Sequence, residues 1–445
     1  MKILALAVLI ATPARDTARK VSSSQIELAM SKSLTYTASD RAVEGLLEHA
    51  RMARALGFTH QLIEDDEFRG DRIFLRGEEK INFGLCSYLG LADDPRLKEA
   101  AIDATTRYGT SYSSSTAYTA LPLYGELKAR LREMLGAPVV VAASATLAHM
   151  AALPVLVRRG DTVVFDALVH ASVQAVLPRL RDGGATVRPL GHSDLAGLAE
   201  VASATSGRVW YLLDGLYSMN GHTAPAERIR QMLDEHPNLW IYCDDAHGFG
   251  WNGTNGIGQF LRRSGWHDRL VMSFGLAKSF GSVGGVIATP DAELIEAIDF
   301  TGGPLVFGGP LPPATLGANI ASAEIHLSSE LPELQSELKE RISLVNRYSK
   351  SIGLPLSDYD DTPLWFVEIG SALTTASVAS SLLQDGFFLN AAAFPAVPRG
   401  RAGLRFTVTR YLDPDQITMM LDRLHDARLE YADTDEMVDL TVLEK

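Results

Sequence analysis

The sequence predicts an α/β fold, with a mostly parallel sheet carrying helices on both faces and a smaller α+β C-terminal domain. Two observations carry that expectation. Between Pro138 and Ala288, short apolar runs alternate with segments of helical periodicity, the rhythm of repeated strand–helix units. Beyond a Gly/Pro-rich stretch at Pro304–Pro313 the pattern turns helix-rich and holds one alternating strand, Leu404-Arg-Phe-Thr-Val-Thr409.

In chain order, Met1–Ala14 has one basic residue, Lys2, and a short apolar core followed by small residues. That resembles an export leader and is too short to span a bilayer. A first buried strand, or an extension upstream of a true start at Met30, are the other readings. Arg19-Lys-Val-Ser-Ser-Ser24 continues as a loosely attached extension. From Asp40 to Gly57 the apolar residues Val43, Leu46, Leu47, Ala50, Ala53 and Leu56 recur at helical spacing. A second helix is expected over Leu123–Leu135, started by Pro122 and stopped by Gly136. The expected strands are Pro138–Ala143, Thr162–Phe165, Val209–Leu213, Leu239–Cys243, Leu270–Phe274 and Gly284–Ala288.

A chain of 445 residues is long enough for two or three packed lobes. With 46% hydrophobic and 21% charged residues it has an ordinary globular composition, against extensive disorder. Its net charge of -13 disfavours nucleic acid or an anionic membrane surface as main partner. Two cysteines, Cys86 and Cys243, are too few for a disulfide framework, so a reducing cytoplasm fits best. No stretch after the N-terminus reads as a membrane span, and no metal-ligand set is read.

Chemistry is expected where strands end. Parallel strands deliver functional groups at their carboxyl ends. Leu239-Trp-Ile-Tyr-Cys-Asp-Asp-Ala-His-Gly248 is an apolar run ending in acid, and Leu270–Phe274 leads to Lys278 among small residues. Asp244 follows large apolar residues, an expensive place for an acid unless something satisfies it. A helix cap is the bland reading of Asp244 or Asp245, and a solvated loop that of Lys278. An aspartate, a histidine and a lysine in one crevice suit pyridoxal 5'-phosphate (PLP). The lysine forms a Schiff base with the aldehyde, and the aspartate keeps the pyridine nitrogen protonated. His247 is placed for the phenolic oxygen, and His170 in Asp166-Ala-Leu-Val-His-Ala-Ser172 for stacking on the ring, unless it merely caps its helix. Ser144, Ala145 and Thr146 begin a helix whose free amides could take a phosphate, or Ser144 is only an N-cap. Ser218 could reach the same crevice. Arg405 shares the polar face of its strand with Thr407 and Thr409 and suits a carboxylate grip; a surface ion pair is the alternative.

Taken together these segments resemble the α-oxoamine synthases, PLP enzymes of aminotransferase-like fold type I. The likeness runs from about Ile81 to Leu424. It is carried by Phe83-Gly-Leu-Cys-Ser-Tyr-Leu-Gly-Leu91, Tyr108-Gly-Thr110, His170-Ala-Ser172, Tyr217-Ser-Met-Asn-Gly221 with Ala224-Pro225, Asp244-Asp-Ala-His-Gly248, Ala277-Lys278, Leu311-Pro-Pro313 and Pro395-Ala-Val-Pro398 with Leu404-Arg405. The resemblance implies a decarboxylative condensation of a small amino acid with an acyl thioester, on coenzyme A or an acyl carrier protein, giving an α-aminoketone. It implies Lys278 as cofactor lysine and proton shuttle, Asp244 on the pyridine nitrogen, His247 on the phenolic oxygen, His170 stacked, Ser218 and Ser273 beside the cofactor, and Arg405 on the substrate carboxylate. It also implies a homodimer with shared active sites. Residues 1–38 would be an extension, 39–105 an N-terminal segment, 106–310 the large PLP-binding domain and 311–445 the small domain.

Four positions depart from the family pattern. Cys86 stands where asparagine is usual, and Ser113-Ser-Ser-Thr116, with Ser115 a candidate substrate contact, replaces Gly-Gly-Ser-Arg. Ser144-Ala-Thr146 replaces Ser-Gly-aromatic, with His149 where asparagine is common. Gly275 replaces a hydroxyl residue, leaving Ser273 two positions further away. These departures point to specialised metabolism or lipid signalling rather than a biotin precursor or 5-aminolevulinate. Aldol-type addition, aminotransfer, or a silent partner subunit are the rival readings; joint retention of Lys278, Asp244 and His247 opposes the last.

Overall fold

The computed structural model describes residues 38–432. The leader-like segment Met1–Ala14 and Met30 lie outside the described residues. After a helix over Ala38–Ala55, two short strands, β1 (Arg72–Leu75) and β2 (Glu78–Asn82), form an antiparallel hairpin. The main sheet follows: β3 (Val139–Ala142), β4 (Thr162–Asp166), β5 (Thr186–Leu190), β6 (Val209–Asp214), β7 (Leu239–Asp244), β8 (Leu270–Gly275) and β9 (Gly285–Ala288). Its order is β3-β9-β8-β7-β6-β4-β5, parallel from β8 to β5, with β9 antiparallel to both neighbours. Six of these seven strands coincide with the apolar runs expected from sequence. The unexpected one, β5, lies at the sheet edge, is half-exposed and contains Pro189. An edge strand pairs on one side only, so it tolerates both polar residues and a proline.

Both faces of the sheet are covered, which is why its strands read as unbroken apolar runs. Tyr211, Leu213, Ile241, Cys243, Met272 and Phe274 pack on one face, with the helices Pro122–Leu135 and Pro313–Leu327. Trp210, Leu212, Tyr242, Val271 and Ile287 pack on the other, with the helix Ala145–Leu156. Each such side chain contributes about 1.5–3 kcal/mol of burial. Side chains alternate along a strand, so Tyr242 and Asp244 share the face covered by Ala145–Leu156. The expected helix at Leu123 is found over Pro122–Leu135, leaving through Gly136 at φ 67°.

The C-terminal third adds β10 (Leu364–Gly370), β11 (Phe387–Phe388), β12 (Asn390–Ala392) and β13 (Ala402–Thr407). β10, β13 and β12 form an antiparallel sheet, while β11 pairs with β2. Phe83, Tyr88 and Leu89 therefore share a core with Leu364, Trp365, Leu404 and Phe406. One expectation is corrected here. The presumed polar face of β13 is buried: Arg405 is 8% exposed and Thr407 fully enclosed. The segment after β2 covers that face, with Thr407 Oγ1 donating to the Phe83 carbonyl at 3.1 Å. Among the described residues, no helix is long and apolar enough to cross a membrane.

Candidate active site

Strands β6 and β7 end at Asp214 and Asp244, which sit opposite each other in register, and Asp244 sits opposite Ser273 of β8. Asp244 is buried, yet its carboxylate is well supplied. Oδ1 accepts from the Ala246 amide at 3.1 Å, and Oδ2 lies 3.1 Å from His149 Nε2. Burial pushes this carboxyl up, but His149, Lys278 and His170 outweigh it and hold it at about 2. Asp214 goes the other way. Burial and the Asp244 charge push it well above the usual carboxylate range, while its Oδ1 accepts from the His170 amide at 3.0 Å. The adjacent pair is thus one anion and one neutral acid.

Three residues on from Asp244, the turn presents His247. Its Nδ1 lies 2.8 Å from the Tyr88 hydroxyl and its carbonyl accepts from Trp251 Nε1 at 2.8 Å. Burial, Lys278 and Arg405 hold the imidazole well below the usual histidine range, so it is neutral at pH 7. Among the described residues its Nε2 makes no hydrogen bond and remains for a ligand. His170 follows β4 as an N-cap, its Nδ1 accepting from the Ser172 amide at 3.2 Å. The capping reading of His170 therefore holds, while the residue as a whole stays exposed.

Lys278 sits in a tight loop after β8, its carbonyl accepting from the Gly281 amide at 3.0 Å, while Leu276 and Gly284 close the loop at 3.0 Å. The side chain is half-buried rather than enclosed, and Nζ has neither hydrogen bond nor ion pair among the described residues. Its charge reaches Asp244, His247 and His170.

Arg405 closes the group from the small sheet. Its Nε donates to the Ser218 carbonyl at 2.6 Å and its Nη2 lies 3.5 Å from Cys86 Sγ. Ser218 thus enters through its backbone, and Cys86 is brought to the arginine. Ser144 is an N-cap whose Oγ accepts from the Leu147 amide at 3.2 Å, as the bland reading held. Ala145 and the exposed Thr146 begin the same helix, with their own amides free of cap bonds. Two candidates stand apart. Ser273 is fully buried beside the Tyr242 phenol, because it lies two residues inside the strand end. Ser115 donates to the Val306 carbonyl at 2.6 Å and accepts from the Ala117 amide, so none of its hydrogen bonds runs to Asp244 or Lys278.

Four residues carry geometry that sequence reasoning did not assign. Asp214 was visible only as a strand-end acid. Tyr88 lay inside an apolar motif and read as core. His149 and Tyr242 face one another at 2.8 Å from Nδ1 to OH, across a helix and a strand. The available signals were a histidine on a largely apolar helix and its place where the family commonly has asparagine.

Residues 78–424 match the family described as aminotransferase class I and II. An 8-amino-7-oxononanoate synthase of Symbiobacterium thermophilum is 33% identical over 370 residues, covering 82% of this chain and 92% of that protein. A putative 8-amino-7-oxononanoate synthase of Parvibaculum lavamentivorans is 31% identical over 374 residues, with the same 82% and 92% coverage. Among solved structures, a serine palmitoyltransferase from S. paucimobilis with a bound PLP–myriocin aldimine superposes at TM-score 0.80 and 22% identity. That match covers 88% of this chain and 98% of the other. An 8-amino-7-oxononanoate synthase from Francisella tularensis superposes at TM-score 0.66 and 21% identity, covering 79% and 99%. At those identities the structural likeness speaks to the fold.

Proposed function

The chain belongs to the aminotransferase class I and II family and to its α-oxoamine synthase branch, and from that premise we propose a PLP-dependent acyltransferase. It condenses a small amino acid with an acyl thioester, on coenzyme A or an acyl carrier protein, releasing CO2 and the free thiol and leaving an α-aminoketone. The observation that carries this reading is a buried, ionised Asp244 beside an unpartnered Lys278 at the carboxyl ends of adjacent strands.

The residues present fit PLP. A strand-end carboxylate held at about 2 stays ionised and can keep a pyridine nitrogen protonated. His247 Nε2 is a free neutral donor for a phenolic oxygen, the exposed His170 offers a flat ring face, and the Ala145–Thr146 amides offer a phosphate site. When bound, PLP supplies an electron sink for a carbanion at the amino-acid α-carbon. The chain's part is positioning and proton transfer. Asp244 would hold the pyridine nitrogen protonated. Lys278 Nζ would take the α-proton of the bound amino acid, its tight loop fixing where the amine stands. The Nη atoms of Arg405 would hold the substrate carboxylate, with Nε already anchored on Ser218. Cys86, against the same guanidinium, would line the amino-acid side of the pocket.

We read the working form as a homodimer with shared sites, which the solvent-facing Tyr118, Phe300 and Phe307, 85%, 70% and 88% exposed, support. A cytoplasmic setting accords with two unpaired cysteines. Cys86 beside the carboxylate-binding arginine supports a substrate pair of specialised metabolism. The test is the visible absorption of purified protein with PLP as amino acids are titrated singly, followed by acyl thioester. A band that one amino acid shifts, with aminoketone and CO2 formed only after thioester, is expected. Protein that binds no PLP, or product formation independent of thioester, refutes the reading.

A further inference from the structure

Resting on that reading and deepening it, we propose that His149 is the positioning residue of Asp244. Fixed by Tyr242, it aims an Nε2–H at the carboxylate that would face the pyridine nitrogen. The three side chains form one buried line. Tyr242 OH lies 2.8 Å from His149 Nδ1, and His149 Nε2 lies 3.1 Å from Asp244 Oδ2. His149 and Tyr242 are fully enclosed and Asp244 is 5% exposed.

The hydrogen pattern follows from chemistry. An ionised carboxylate only accepts, so Nε2 carries the proton. With that proton on Nε2, Nδ1 is left to accept from the Tyr242 hydroxyl, and burial keeps that phenol protonated. The tyrosine thereby selects the tautomer that serves Asp244. Sheet geometry sets the line, because Tyr242 and Asp244 are two residues apart on one face of β7, opposite His149 on the covering helix. A histidine that merely fills core behaves differently here. His326, equally buried, bonds its own helix through Nδ1 at 2.7 Å to the Ser322 carbonyl and leaves Nε2 unpartnered. His149 instead joins both ring nitrogens to side chains at the strand end. An asparagine at this position could donate to Asp244 but offers no second ring nitrogen for Tyr242 to fix.

That difference supplies the experiment. Apo-protein of wild type, His149→Leu, His149→Asn, Tyr242→Phe and the Asn/Phe double variant is titrated with PLP, reading the dissociation constant and the visible band, with thermal midpoints as the folding control. Losing a hydrogen bond to a charged group predicts about ten- to a hundredfold weaker PLP binding for His149→Leu, and losing a neutral one about two- to tenfold for Tyr242→Phe. His149→Asn should recover most of the loss, and in that background Tyr242→Phe should add nothing. Should His149→Leu fail to fold, the Asn and Phe variants and their double decide. An equal Tyr242→Phe effect in both backgrounds overturns the proposal, as does His149→Leu that is folded and binds PLP like wild type. Wild type that binds no PLP overturns the functional reading itself, and this one with it.

Discussion

Asp245→Asn separates the two neighbouring acids of the strand end and should stabilise the protein in a pH-dependent way. Asp245 is fully buried; its Oδ2 accepts from the Phe260 amide at 2.9 Å and its Oδ1 has no partner. There is little room for rescue, since a Cβ on Gly248 or Gly215 would come within 2.2 or 2.3 Å of that Oδ1. Burial raises this carboxyl, the Phe260 amide opposes it, Asp244 adds to it, and the result is about 8. The folded value lies above the unfolded one, so folding takes up a proton. Stability is then greatest below the ordinary aspartate value and falls as pH rises toward about 8, by about 1.4 kcal/mol per pH unit. At pH 7 the accumulated penalty reaches ~4 kcal/mol as an upper figure. Asparagine keeps the acceptor for Phe260 and carries no titrating proton. Urea unfolding of the apo-protein, followed by tryptophan fluorescence at pH 6, 7 and 8, should show a stability advantage for Asp245→Asn that grows with pH. An advantage that stays constant over that range, or a variant less stable than wild type at pH 8, would refute the reasoning.

Lys278→Ala should lower turnover by about 10²–10⁴-fold and remove the visible PLP band, with an unchanged thermal midpoint of the apo-protein because Nζ bonds to nothing among the described residues; a large drop in melting temperature would contradict this. Arg405→Ala should raise the amino-acid KM by about ten- to a hundredfold through loss of a charge-assisted grip, leaving the thioester KM within error in steady-state assays. Gly285→Ala should cost about 1–3 kcal/mol by overpacking, because its Cβ would meet the Ser144 carbonyl at 2.4 Å and Ala145 Cα at 2.6 Å. Displacing that helix start should also weaken PLP binding, measured by titration of the apo-protein. Wild-type melting and affinity would show that β9 and the helix start can part without loss.

The central strands were legible because burial on both faces demands apolar side chains throughout, leaving contiguous runs such as Leu239–Cys243. The strand-end chemistry was legible for a related reason. An acid directly after such a run is costly, so Asp244 stood out, and Lys278 stood out among small residues. β5 was not legible, since an edge strand needs no such run. The small strands β1, β2, β11 and β12 were too short to impose a period. Alternation in β13 located Arg405 on the strand's polar face, but nothing local announces that the distant Phe83–Leu85 segment lies over that face.

What the sequence determined by itself was the order of buried strands and which residue types stand at their ends, since both follow from desolvation acting on neighbours in the chain. Only the tertiary structure decided which of those residues meet. Asp214 and Asp244 become acid and anion through strand register, Tyr88 reaches His247 across 159 positions, and His149 reaches Asp244 across 95. Protonation, tautomer and hydrogen-bond partner depend on distances of about 3 Å. Such distances are set by how a helix lies on a sheet, and no local pattern in the chain encodes them.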